Sequence, residues 1–498
     1  MIPRRPLRKD VQSGSVLSAA KQLIHNCMRP DAPHEGHEQC RYSRDTVLPT
    51  RVLDVGPTGS SGPSLHLQVN ESETHGSYLA LSYCWGKPDP NTTSKPLQLR
   101  RNSVAELTTE IKLQSLPQTI QDAIIVTRQL GFRHLWVDAL CIIQDDKEDK
   151  AREISRMGMI YKNAAITLAA GVAKESSEGF LHRPGSKAPV YLPTTSIPIP
   201  MPNGETGTVY LSASPYDPDH PLDKRGWTLQ EFMLSSRMLI FSDYELLWHC
   251  KEAPLQSVTG TVRGLEYHQR LESLPWAVFD ECAEPHFGSL DSDKMYLWKT
   301  IVIQYSKREL TDPEDRLRAV MGITTELEKL WRDTNIYGHW KRWFVQLLPW
   351  YKPDSSRVKT RHLNRAPSWS WASVNGEIRY EEPLETIDAQ IQTLAVATVV
   401  LTCRVLVADD IDPDKAGSIL ERPDLETPEA TRELSDNCCG YILLEMTAVD
   451  DHRQKGVGLL VLKTAKDQYR RIGLVIFIDM TVWDGITPQN VILEPKTL

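Results

Sequence analysis

Short, continuous apolar runs alternate with amphipathic stretches along the first half of the chain. Tyr78-Leu79-Ala80-Leu81-Ser82-Tyr83 and Ala165–Ala170 lack polar alternation, the pattern of strands buried on both faces. The run His134–Ile143 is apolar almost throughout, and Leu135–Leu140 is predicted as a third interior strand. Between these runs, Pro117 suits a first helical position, Ile120, Ile124 and Thr127 share one face, and Gly131 suits a C-terminal cap. A second helix is predicted over Asp145–Lys162 from the spacing of Ile154, Met157 and Ile160, and shorter ones over Val16–Ile24 and Arg225–Leu234. Alternation in Val52–Val55 and Leu65–Val69 predicts two short strands, and Met238–Phe241 another. This rhythm of strand and helix predicts an α/β unit with a mainly parallel sheet over residues 45–250.

The pattern then changes. Residues 290–350 read as helical and rich in tryptophan, while Val396–Val407, Tyr441–Met446, Val457–Leu462 and Ile472–Ile478 are β-rich runs that predict a small antiparallel sheet. Trp369 and Trp371 alternate as on a strand, one toward the core and one toward a domain interface. Four regions follow: an N-terminal segment over 1–44, the α/β domain over 45–250, a helical Trp-rich region over 251–390 and a β-rich domain over 391–498.

Composition narrows the class. Of 498 residues, 40% are hydrophobic and 24% charged, the balance of a soluble globular protein. A net charge of −8 supplies no global attraction to nucleic acid or to an anionic membrane, so neither partner is expected. The apolar runs Leu394–Val400 and Leu474–Ile478 fall far short of the ~20 residues of a membrane helix. The basic N-terminus has no apolar core behind it, so no secretory signal is expected. Nine cysteines, an odd number spread over the chain, read as reduced thiols in an intracellular protein.

Three ordered blocks carry a resemblance. They are Tyr78-Leu79-Ala80-Leu81-Ser82-Tyr83-Cys84-Trp85-Gly86; Leu116-Pro117-Gln118-Thr119-Ile120-Gln121-Asp122-Ala123 leading into Leu135-Trp136-Val137-Asp138-Ala139-Leu140-Cys141-Ile142-Ile143-Gln144-Asp145-Asp146; and Arg225-Gly226-Trp227-Thr228-Leu229-Gln230-Glu231. Together they resemble the signature blocks of the fungal heterokaryon-incompatibility (HET) domain. Cys27…His37…Cys40, Leu48-Pro49-Thr50-Arg51 and Pro367-Ser368-Trp369-Ser370-Trp371-Ala372 resemble further pieces of long HET proteins. Where many relatives carry Asp-Trp, this chain has Asp149-Lys150, read as a surface change.

The resemblance implies a cytoplasmic fungal protein of nonself recognition whose HET domain triggers growth arrest or programmed cell death. Self-association or a second incompatibility protein would then be the partner. HET domains are also distantly similar to Toll/interleukin-1 receptor (TIR) domains, which implies a TIR/flavodoxin-like parallel-sheet domain. Some TIR domains cleave NAD with a Glu four residues after a Trp. Trp227 and Glu231 match that spacing on one helix face, which makes Glu231 the candidate catalytic residue and NAD the candidate substrate. A carboxylate beside the ribose would stabilise the oxocarbenium character that develops as the nicotinamide bond breaks. The competing reading places Trp227 in the core and pairs Glu231 with Arg225 or Arg237.

Ser82, Tyr83 and Trp85 end an apolar strand where open α/β sheets bind ligands, and Asp138, Gln144 and Asp145 converge on the same edge. Ser82, Tyr83, Trp85, Asp138 and Trp227 are therefore the candidate substrate-binding residues, the alternative being a buried polar network that holds loops together. Cys84 and Cys141 are weighed as nucleophiles, but a cysteine in a strand is far more often a small buried hydrophobe. Cys27, His34, His37 and Cys40 form a compact set of soft ligands able to close a tetrahedral zinc site, against a plain helix end with unliganded thiols. Neither a phosphate-cradling glycine loop nor a Gly-x-Ser-x-Gly elbow occurs in the sequence, which argues against triphosphate hydrolysis and esterase chemistry. Three functional readings stand: a HET effector with NAD cleavage, a non-catalytic oligomerising module, and a HET scaffold repurposed for a small-molecule reaction in secondary metabolism.

Overall fold

The computed structural model describes residues 14–28, 40, 46–56, 65–70, 74–86, 96–181, 194–202, 204–212, 220–242, 245–251, 253, 255–258, 289–353, 363–395, 398–411, 413–424, 439–450 and 453–495. The chain divides into two compact units, Met1–Trp276 with Met321–Ile323, and Ala277–Val320 with Thr324–Leu498. Among the described residues, no helix is long and apolar enough to cross a membrane.

The first unit opens with helix α1 (Gly14–Cys27), which buries Val16, Ala20, Ile24 and Cys27 along one stripe. It continues through strands β1 (Arg51–Asp54), β2 (His66–Val69) and β3 (Tyr78–Ser82), helices α2 (Val104–Thr109) and α3 (Gln118–Leu130), and strand β4 (His134–Trp136). Helices α4 (Asp138–Cys141) and α5 (Lys147–Asn163) lead to β5 (Ile166–Ala169). A hairpin of β6 (Thr194–Pro200) and β7 (Thr206–Ser212) precedes helix α6 (Gly226–Leu234) and strands β8 (Arg237–Phe241), β9 (Leu246–Cys250) and β10 (Gln256–Ser257). α3 ends where Gly131 takes φ +88°, a left-handed cap that costs glycine nothing. α5 starts because the Asp146 carboxylate accepts from the Glu148 and Asp149 amides.

The main sheet has the order β10-β9-β8-β5-β3-β4-β1-β2. The expected parallel sheet is present as its four central strands, with β3 beside β4 and β5, and β5 beside β8. Its flanks are antiparallel: β1 pairs with β2 and β4, and β9 pairs with β8 and β10. The reason is chain length, since a few residues between Phe241 and Leu246 can close a hairpin but cannot make a parallel crossover.

The predicted strand over Leu135–Leu140 needs correction. β4 stops at Trp136, and Asp138 opens the short helix α4. The Asp138 carboxylate accepts from the Ala139 amide at 2.7 Å, a first-turn bond that a strand would not provide. In the same region Asp149 is buried and paired with Arg51 at 2.5 Å, whereas Lys150 is exposed, in keeping with a surface change at that position.

In the second unit, a helix spans Leu290–Ser306, the helix Met321–Trp331 contributes its residues from Thr324 onward, and a nine-stranded sheet carries the C-terminal region. Its long strands Cys439–Asp450, Arg453–Lys463 and Tyr469–Phe477 pair antiparallel, as the β-rich runs led one to expect, though the sheet is larger than expected. Trp369 and Trp371 do not alternate on a strand. Ser370 caps a 3-10 turn, Trp371–Ser373, and both indoles are buried. The Trp298 and Trp371 Nε1–H groups both donate to the Gly338 carbonyl at 3.0 Å. Gly338 sits at φ +84°, and a Cβ there would come within 2.4 Å of the Trp371 ring nitrogen, so this position requires glycine.

Arg471 is the charged centre of this unit. Its side chain is fully buried and paired with the equally buried Asp424 at 3.0 Å. The guanidinium also donates to the Leu348 and Trp350 carbonyls and lies 3.4 Å from the centre of the Trp350 ring. Replacing it strands Asp424 and two carbonyls away from water. Arg471→Ala should cost about 3–5 kcal/mol, read by urea unfolding of the full chain through tryptophan fluorescence. A loss below about 1 kcal/mol would mean that water replaces the guanidinium.

Candidate active edge

Two foci of polar contact lie at the carboxyl end of the parallel strands. Ser82, the last residue of β3, is fully buried, and its hydroxyl donates to the Glu231 carboxylate, itself only 4% exposed. Glu231 lies on α6, a helix buried along nearly its whole length except at Trp227, which is half-buried one turn earlier. α6 is seated by hydroxyls at both ends. Thr228 donates to the Leu222 and Arg225 carbonyls at 2.8 Å, and Ser235 donates to the Glu231 carbonyl at 2.6 Å. Ser235 also meets Thr167 of β5 at 2.6 Å, so the helix is tied directly to a central strand.

Asp138 forms the second focus. One carboxylate oxygen accepts from Trp85 Nε1 at 2.8 Å, and the other from the Ala139 amide. The Tyr83 phenol is a third donor. Burial raises the Asp138 pKa above its ordinary value, against the pull of the Arg225 charge and of these donors. Burial likewise pushes Tyr83 and Tyr161 well above the usual phenol value, with the charges of Asp138 and Glu231 contributing. Arg225 donates to the Tyr83 carbonyl, so a cation stands between the strand end and the start of α6. The arrangement is one buried carboxylate, Glu231, held by the hydroxyl that ends β3, and one half-buried carboxylate, Asp138, held by donors just beyond β3 and β4.

Ser82, Tyr83, Trp85, Asp138, Trp227 and Glu231 are thus drawn to one edge, as the sequence suggested. Gln144 and Asp145 do other work there. Gln144 Nε2 donates to the Asp138 and Ile142 carbonyls at 3.0 Å, and Asp145 accepts from the Arg101 amide at 2.9 Å. The roles of Arg225 and Tyr161 were missed. An arginine just before a helix carries no local signal of what its guanidinium reaches, and Tyr161 reads as one more apolar position of α5.

Of the candidate metal ligands, His34 and His37 lie outside the described residues. Cys27 and Cys40 are buried and meet a third thiol, Cys250 of β9, with the three sulfurs all within 4.8 Å of one another. Arg237, weighed in the sequence as a partner for Glu231, donates to Cys27 Sγ at 3.2 Å and to the Cys40 carbonyl. Cys250 was missed because nothing near it in sequence marks it as a ligand.

The other two thiols near the edge are poor nucleophiles. Burial raises Cys84 to about 11, and burial raises Cys141 to about 12 despite a donated amide from Val137 and the nearby Arg51 charge. Both lie above the ordinary 9.0, so each thiol stays protonated, and its thiolate fraction grows only as the pH climbs toward those values. Native protein at pH 7.5 should therefore leave Cys84 and Cys141 unmodified by iodoacetamide, with both alkylated only after denaturation, as peptide mapping would record. Rapid native labelling of either would restore the nucleophile reading.

Comparison with known proteins accords with this geometry. Residues 78–231 match the family model described as heterokaryon incompatibility protein (HET), from the first residue of β3 to Glu231 itself. Heterokaryon incompatibility protein 6, OR allele, of Neurospora crassa is 30% identical over 122 residues, which cover 23% of this chain and 17% of that protein. No solved structure matches the chain. Residues 78–231, which include the strand ends and the α6 residues that build this edge, are thus similar to the heterokaryon-incompatibility (HET) domain, and the chain carries a HET domain over that span.

Proposed function

We propose that this chain acts in fungal heterokaryon incompatibility as a cytoplasmic cell-death effector, and that its HET domain works as a signalling module by assembling with further copies or with a second incompatibility protein. The observation behind this reading is the Ser82–Glu231 contact, in which a 4%-exposed carboxylate is held by a fully buried hydroxyl. A carboxylate that stabilises charge on a ribose must come within hydrogen-bond reach of it. Here Glu231 fastens α6 to the end of β3, and Asp138 fastens the loop that carries Trp85.

A second reading rests on Trp227. This indole is half-buried and one turn from Glu231, the spacing of NAD-cleaving TIR domains, and it offers a face for a departing nicotinamide. In that reading assembly parts Glu231 from Ser82, and the TIR/flavodoxin-like resemblance extends to chemistry.

One substitution separates the two. Glu231→Gln keeps an acceptor for Ser82 and removes the charge. Under the assembly reading it leaves cell killing in a fungal host unchanged, and purified protein releases no nicotinamide from NAD, with or without a crowding agent. Loss of killing in a folded Glu231→Gln protein, together with nicotinamide release by the wild type, would establish the catalytic reading instead. Glu231→Ala strands the Ser82 hydroxyl and should lower stability by about 1–3 kcal/mol in thermal or urea unfolding.

A further inference from the structure

The three thiols Cys27, Cys40 and Cys250 come from three places: the last residue of α1, a position beyond the segment that follows it, and the end of β9. All are buried, none is disulfide-bonded, and every pair of sulfurs lies within 4.8 Å. Zinc–sulfur bonds of ~2.3 Å in a tetrahedron require sulfurs about 3.8 Å apart, a small contraction from this spacing.

The surroundings suit thiolates better than thiols. Arg237 pairs in register with Cys250 across β8 and β9, which sets its guanidinium beneath the cluster, and its Nε–H donates to Cys27 Sγ at 3.2 Å. The Ala253 amide donates to Cys250 Sγ at 3.3 Å. A neutral thiol sulfur is a weak acceptor, whereas a metal-bound thiolate is a strong one, and donors aimed at ligand sulfurs are the usual outer support of such sites. The charges also balance. Three thiolates and one divalent ion leave a single negative charge in a buried place, and Arg237, 1% exposed, supplies the matching positive one.

We propose that Cys27, Cys40 and Cys250 bind one Zn²⁺ ion that clips helix α1 to strand β9 of the HET-domain sheet. On binding, three S–H bonds break, three Zn–S bonds form and three protons pass to solvent; the fourth tetrahedral position is left to another donor. Affinity therefore falls as acid restores the three protons.

The test uses the full chain, purified under reducing, anaerobic conditions. Elemental analysis should find one zinc per chain. After zinc removal, Co²⁺ titration should give one equivalent with a thiolate-to-cobalt charge-transfer band of three-sulfur intensity, and zinc should quench it. Cys250→Ser should weaken Co²⁺ binding at least about tenfold, while Cys403→Ser, a buried thiol in the other unit, should leave it unchanged. If Cys250→Ser fails to fold, the wild-type band and the X-ray absorption of the zinc-loaded protein still decide the matter, because three sulfurs at ~2.3 Å are required. A wild-type protein with no charge-transfer band, a disulfide joining any two of the three cysteines, or a Cys250→Ser variant that binds cobalt as tightly as wild type would overturn the site.

Discussion

Carboxylates removed from water at the carboxyl edge of a parallel sheet have to be met by donors, and that demand organises the HET domain. Glu231 is shut away from solvent and Asp138 is half-buried, and a buried charge left without a partner is costly. The donors come from places far apart in sequence: Ser82 at the end of β3, Trp85 and Tyr83 just beyond it, and the first amide of α4. Each contact needs its strand end and its helix at the right height. The two carboxylates thus couple the position of α6 to the register of β3 and β4, and Ser235 with Thr167 repeats the coupling on β5.

Elsewhere in the same unit the requirement recurs with other chemistry. Arg51 satisfies the buried Asp149 and also donates to the Cys141 carbonyl, joining β1 to α4 and α5. Arg237 stands under three sulfurs at the far side of the sheet. Each buried charge serves as a clamp between elements that hydrophobic packing alone would leave free to slide, since apolar contact is not directional. The second unit solves the problem with Arg471 and Asp424, the guanidinium lying against the Trp350 ring, and elsewhere two indoles share the Gly338 carbonyl.

How much of this could be read from the sequence depends on whether the signal is local. The central strands, the helix capped by Gly131, the helix over Lys147–Asn163 and the β-rich C-terminal region all follow from periodicity, capping and apolar runs within a few residues. So does the gathering of Ser82, Trp85 and Asp138 at one edge, because residues at the ends of parallel strands must emerge on the same side; Glu231, on α6, joined them only through the family resemblance. The break of the run after Trp136 was missed: an Asp inside apolar neighbours reads as strand until the amide it caps is seen.

What the sequence determined by itself is the family, the alternation of elements and the roster of residues at the strand ends, since these are properties of short blocks. What only tertiary structure decided is which partner each buried polar group takes. Glu231 meets Ser82 across 149 positions of chain, Arg237 meets Cys27 across 210, and Cys250 joins Cys27 and Cys40 from the opposite end of the domain. No local pattern encodes such pairings. They exist because a compact core excludes water from these groups, and the donors and acceptors it encloses must then satisfy one another.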